Sequence, residues 1–254
     1  LLGFEEAKER LPKEAKTVVT GTPTKVKKID YTKEQIVEKK KELGLDIDKK
    51  LILIFGGSQG AKSINEAVKN LIINNEEQKH ANTITTMNEK KQMNEISFNK
   101  DKNYEIMWAV GKKQYDSIKE ELKCNQIDID NIKDVKAYPY IYNMEEVMNI
   151  SDLIVSRSGA MTITEIEKIG KGAIFIPYPY AAENHQEYNA RALEKKGAAE
   201  VILDKDLNAD VLEKSIENLC NDEKKLKEMG EISNSLSIKN VEDKIYAEIK
   251  HALK

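Results

Sequence analysis

Three short stretches hold the residues whose types and spacing could do chemistry, and each follows an apolar run. The first is LILIFGGSQGAKS, Leu51 to Ser63. Gly56-Gly57-Ser58-Gln59-Gly60 reads as a strand-to-helix turn. Glycines let the backbone approach an anion, and the following helix start offers free N–H groups and a positive dipole end. Ser58 adds a hydroxyl donor. The same frame lies one residue from an ATP-binding loop: Ala61 stands where that motif needs its second glycine, ahead of Lys62 and Ser63. The other ligand that fits is the pyrophosphate of a sugar nucleotide. A tight turn with no ligand is the structural alternative.

The second stretch is SRSGAMTITE, Ser156 to Glu165. Ser158, Gly159 and Ala160 are small and leave room for a ligand at a helix start, and Thr162 could cap that helix or touch phosphate. Glu165 lies on an otherwise apolar helix. A carboxylate accepts hydrogen bonds from two neighbouring hydroxyls, as a ribose presents; the structural alternative is a capping arrangement with Glu165 near the helix N-terminus. The third stretch is IPYPYAAENHQEYNA, Ile176 to Ala190. Its prolines fix an extended loop, after which Asn184, His185 and Gln186 open a helix. Amide and imidazole groups there suit sugar hydroxyls. A surface or capping role is the commoner fate of one histidine.

Each stretch alone is a weak signal; their joint placement at strand ends is stronger. It also argues against ATP hydrolysis, which needs an acid at a strand's carboxyl end to hold Mg²⁺. LIVSR ends without one, and Asp152 lies at the wrong end of its strand.

The elements that would position these residues alternate between β-rich runs and helical patterns. Strands are expected at 16–20, 51–55, 104–110, 134–138, 152–156, 173–177 and 198–203. Helices are expected at 33–43, 61–74, 112–123, 144–150, 160–169 and 184–196, with a helical tail from about 208 to 252. The polar segment 75–103 reads as a helix with a loose excursion. Repeated β-loop-α units predict an α/β fold: a Rossmann-like, doubly wound parallel sheet with helices on both faces, binding ligands at its strand carboxyl ends.

Bulk properties fit that fold. Of 254 residues, 33% are charged and 40% hydrophobic, enough for a real core. A net charge of −3 makes the whole chain a poor electrostatic match for nucleic acid. Cys124 and Cys220 are too far apart for a metal or redox pair and fit a reducing cytoplasm. No apolar run reaches membrane-spanning length. The start, LLGFEEAKERLPKEAK, lacks a signal-peptide layout and an initiator Met, and reads as the middle of a fold.

Five stretches together resemble the MurG family of UDP-N-acetylglucosamine transferases, glycosyltransferase family 28, which form lipid II in peptidoglycan synthesis. They are TGTPTK (20–25), FGGSQGAKSIN (55–65), YIYNM (140–144), SDLIVSRSGAMTITE (151–165) and IPYPYAAENHQEYNA (176–190), in the family's order. The resemblance implies the C-terminal half of a GT-B fold, with residues 1–25 the end of an N-terminal acceptor domain and hinge, and 26–254 the UDP-GlcNAc domain. It places Gly57, Ser58 and Gln59 on the diphosphate, Ile141 and Met144 at the uracil, and Ser158, Gly159, Ala160 and Thr162 at the phosphate-binding helix start. It gives Glu165 the ribose, His185 and Gln186 the GlcNAc hydroxyls, and Asn189 support of that loop. Lys25 stands where the pattern has arginine, keeping the charge but losing the bidentate fork. The implied reaction is inverting transfer to the C4 hydroxyl of a MurNAc lipid, with no cofactor or metal, and with the general base and the lipid I acceptor site in the domain outside this chain. Cytoplasmic location, with weak contact to the inner face of the plasma membrane, is implied too. Another UDP-sugar transferase, or a binding module without activity, would carry similar residues.

Overall fold

The structure is a computed structural model that describes residues 1–57, 59–85 and 102–253. Its centre is a six-stranded, all-parallel sheet. The strands are β1 (Lys50–Phe55), β2 (Tyr104–Ala109), β3 (Val135–Tyr138), β4 (Leu153–Ser156), β5 (Gly172–Phe175) and β6 (Ala199–Val201). They lie in the order β3-β2-β1-β4-β5-β6. β1 is central, with Ile54 beside Trp108 of β2 on one side and Val155 of β4 on the other. Chain order reverses between β1 and β4, which opens a crevice at their carboxyl ends.

The helices are α1 (Lys33–Glu42), α2 (Lys62–Thr85), α3 (Tyr115–Cys124), α4 (Met144–Ile150), α5 (Ala160–Ile169), α6 (His185–Lys196), α7 (Ala209–Cys220), α8 (Glu223–Leu236) and α9 (Val241–Ala252). Side chains alternate across a strand, so the unbroken apolar run of β1 feeds two cores. Ile52 and Ile54 pack with Ile64, Leu71, Leu122 and Ile216 of α2, α3 and α7. Leu51, Leu53 and Phe55 pack with Val147, Ile163 and Ala190 of α4, α5 and α6.

Local signals set the helix ends. Thr32 accepts from Gln35 N–H while the Gln35 side chain accepts from Thr32 N–H, a capping box that starts α1. Gly159 is the N-cap of α5, and left-handed Gly170 ends it.

Two expectations change. Residues 16–20 form no strand: Val19 makes a single bridge to Leu2, because no sheet edge lies beside it. The tail is three helices, broken where Asp222 caps α8 and where Asn240 turns left-handed before α9. Within 75–103, helix α2 continues to Thr85, and 86–101 fall outside the described residues.

β2 carries one costly group. Glu105 is 2% exposed and accepts from Asp46 N–H at 2.9 Å. Burial pushes its carboxyl up to about 7, against the pull of Lys40. Folding therefore favours its neutral form; that contribution is full below pH 4.5 and is lost as pH rises through 7. Glu105→Gln keeps the acceptor for Asp46 and loses the charge. It is expected to gain on the order of 2–3 kcal/mol over wild type at pH 8 and little at pH 4. Urea melts at the two pH values measure this, and an equal effect at both would contradict it.

Candidate functional site

At the carboxyl ends of β1, β4 and β5 lies a cavity of about 660 Å³. Gly57, Gly159, Thr162 and Gln186 line it, with Lys62, Arg157 and Tyr178 among their neighbours. A larger hollow, about 750 Å³, surrounds Lys50, Asp152 and Lys171 at the strands' amino ends, away from the glycine turns. Chemistry selects the first. The starts of α2 and α5 open on it, no side chain among the described residues caps α5, and Arg157 adds a fixed positive charge. A Cβ built at Gly57, where φ is +88°, or at Gly159 would meet nothing within 4 Å, so both turns face open space.

The walls are tied together. Ser158 is fully buried and donates its hydroxyl to Gln186 O at 2.8 Å, joining the start of α5 to that of α6. Gln186 Oε1 accepts from Tyr178 N–H at 3.0 Å, which leaves its amide N–H₂ for a ligand. His185 Nδ1 lies 2.8 Å from Ala182 O. A carbonyl only accepts, so Nδ1 carries the hydrogen and Nε2 of the neutral ring is an acceptor.

Among the described residues, the other expected ones lie outside the lining of this cavity. Glu165 is on the same helix as Thr162, and Thr24 of the TGTPTK stretch donates to Glu165 Oε1 at 3.3 Å. Burial raises its carboxyl above the ordinary value, and the Thr24 hydrogen bond opposes this. Ile141 is buried in the same core as Phe55, and Met144 packs against that core. Gln59, Ala160 and Lys25 are exposed. Asn189 lines a separate small hollow with Phe4 and Ile163, and Ser58 falls outside the described residues.

Sequence reading passed over Arg157, Asp204 and the partner role of Ser63. Ser63, a magnesium ligand in the ATP-loop alternative, donates to Asp204 at 2.6 Å and accepts from Arg157 at 2.9 Å. Its hydroxyl is committed, which removes that alternative's key ligand. Among the described residues no group of three His, Cys, Asp or Glu could hold a metal ion, and no helix is long and apolar enough to cross a membrane.

A doubly wound parallel sheet with two helix starts facing a cavity at its reversal point is a Rossmann-like domain. Residues 51–245 match the glycosyltransferase family 28 C-terminal domain, and the chain belongs to that family. The UDP-N-acetylglucosamine–N-acetylmuramyl-(pentapeptide) pyrophosphoryl-undecaprenol N-acetylglucosamine transferase of Acetivibrio thermocellus is 35% identical over 253 residues, 100% of this chain and 60% of that protein. The enzyme of the same name from Thermoanaerobacter sp. is 39% identical over 249 residues, 98% of this chain and again 60% of its own length. The crystal structure of Acinetobacter baumannii MurG superposes with a TM-score of 0.60 at 25% identity, over 80% of this chain and 52% of that one. The fold is thus the Rossmann-like C-terminal half of a GT-B glycosyltransferase. The chain spans 60% of the length of these curated relatives.

Proposed function

We propose that this chain supplies the donor half of an inverting N-acetylglucosaminyltransferase. The enzyme moves GlcNAc from UDP-GlcNAc to the C4 hydroxyl of MurNAc in undecaprenyl-pyrophosphoryl-MurNAc-pentapeptide. The observation that carries this reading is the cradle of Gly57 and the α5 N-terminus, with Arg157 and Gln186 on its rim. The diphosphate sits against the helix starts, where N–H groups and dipoles stabilise the charge that develops as UDP leaves. Gly57, Ser58 and Gln59 serve the diphosphate, with Ser158, Gly159, Ala160 and Thr162 at the start of α5. Ile141 and Met144 flank the uracil, Glu165 holds the ribose, and His185, Gln186 and Asn189 shape the sugar pocket. Residues 1–25, Lys25 included, are the end of an acceptor domain and its hinge, and 26–254 are the donor domain. That acceptor domain brings the general base and lipid I. The enzyme works at the cytoplasmic face of the plasma membrane, and this portion contributes weakly to membrane contact. The names of the 35–39% identical relatives support the same substrates.

Calorimetric titration with UDP-GlcNAc, UDP and ATP tests the reading. Saturable binding of the two uridine nucleotides but not ATP is expected; ATP binding alone would overturn it. Glu165→Ala is expected to weaken UDP by on the order of 1–3 kcal/mol through lost ribose hydrogen bonds. Unchanged affinity in a folded variant would sink the ribose role.

A further inference from the structure

Four strand-end segments converge on one guanidinium. Arg157, after β4, donates from Nη1 to Ile176 O and Pro177 O, both at 3.0 Å, after β5. The same Nη1 lies 2.5 Å from Asp204 Oδ1, in the turn after β6. Nη2 donates to Ser63 Oγ at 2.9 Å, in the first turn of α2, and Ser63 donates onward to the same Asp204 oxygen at 2.6 Å. The three side chains thus close a ring. The Tyr178 ring lies over the guanidinium, 5.5 Å from centroid to Cζ.

Guanidinium carries five N–H donors in a rigid fork. The ring and the two carbonyls use both N–H groups of Nη1 and one of Nη2. The Nε–H and the second Nη2–H make no hydrogen bond to the described residues, and Arg157 lines the cavity between the glycine turn and the α5 start. We propose that Arg157 contacts the diphosphate of the nucleotide, and that Asp204, with Ser63, is its positioning residue. The inference rests on the donor-site reading above.

The chemistry assigns Asp204 two opposed effects. As an acceptor it locks a long side chain that would otherwise sample many rotamers, so the donors are aimed before the ligand arrives. As an anion it offsets part of the positive charge a diphosphate would meet. An amide at 204 keeps the acceptor and loses the charge, whereas alanine loses both. A residue that merely braces the fold would not separate these substitutions, nor distinguish a phosphorylated ligand from its bare nucleoside.

The test titrates UDP and uridine into wild type, Asp204→Asn, Asp204→Ala and Ser63→Ala, followed by NMR shifts, which report weak binding as well as tight. Asp204→Ala is expected to weaken UDP about tenfold or more while uridine stays within about twofold. Asp204→Asn is expected to bind UDP as tightly as wild type or tighter. Should Asp204→Ala fail to fold, Ser63→Ala, which opens the ring but leaves the ion pair, carries the comparison: UDP is expected to weaken about threefold and uridine to hold. Equal losses for UDP and uridine, loss in Asp204→Asn equal to that in Asp204→Ala, or no loss of UDP in either truncation would each overturn the inference alone. Wild-type protein that binds no UDP would instead overturn the donor-site reading, and the inference with it.

Discussion

Alanine in place of Trp108 is expected to lower the unfolding free energy by about 3–5 kcal/mol. Trp108 is fully buried in β2, and its loss opens a cavity in the core beneath α2. Packing is half of the effect. The indole Nε1 donates to Asn65 Oδ1 at 3.0 Å, and Asn65 Nδ2 donates to Val110 O at 2.8 Å. Asn65 lies in the first turn of α2, so this bridge ties the helix behind the glycine turn to the end of β2. Trp108→Phe divides the two effects: much of the volume remains, but Asn65 Oδ1 is left buried without its donor, at about 1–3 kcal/mol. Trp108 is the only tryptophan, so far-UV circular dichroism rather than fluorescence must follow the urea melts. A loss below about 1 kcal/mol in the alanine variant would mean that α2 is held by something else.

Gly111→Ala is the second large effect, expected at about 3–5 kcal/mol, together with loss of nucleotide affinity. Gly111 has φ of +94°, which an L side chain rarely adopts. A Cβ there would stand 2.6 Å from Gly60 N and 2.7 Å from Gln59 C and O. All three are backbone atoms of the glycine turn, with no flexible side chain to yield. The loops after β1 and β2 touch back to back, so the turn can only shift toward the cavity. UDP affinity in Gly111→Ala is expected to fall more than about tenfold even where the variant folds. Wild-type affinity together with a wild-type melting temperature would refute the contact.

Most of the fold was legible because its signals are local. The apolar run at 51–55 emerged as β1, and the helix expected at 160–169 as α5 with the same bounds, bracketed by Gly159 and Gly170. The run at 16–20 has equally β-prone residues but no neighbouring strand, and composition cannot report a missing partner. The site divides along the same line. Gly57, Gly159, Thr162 and Gln186 belong to contiguous motifs and meet in one cavity. Asp204 reaches Ser63 across 141 positions and Arg157 across 47, outside any motif, so only the folded sheet brings them together. Ser158 was expected at the phosphate-binding helix start, and its hydroxyl also donates to the Gln186 carbonyl, a contact between two helix starts that spacing does not report.

The strand order also sets a schedule for synthesis. β1 is the first strand of the sheet to be made and ends at its centre. One of its edges waits for β2, but the other stays open until β4 arrives about 100 residues later. Through that interval a nascent chain displays an unpaired row of N–H and C=O groups along Leu51 to Phe55, flanked by fully apolar side chains. Such an edge pairs readily with a neighbouring chain. A chain released after Ile150 would therefore be prone to aggregate, whereas one released after Ser156 carries the strand that closes the sheet's centre.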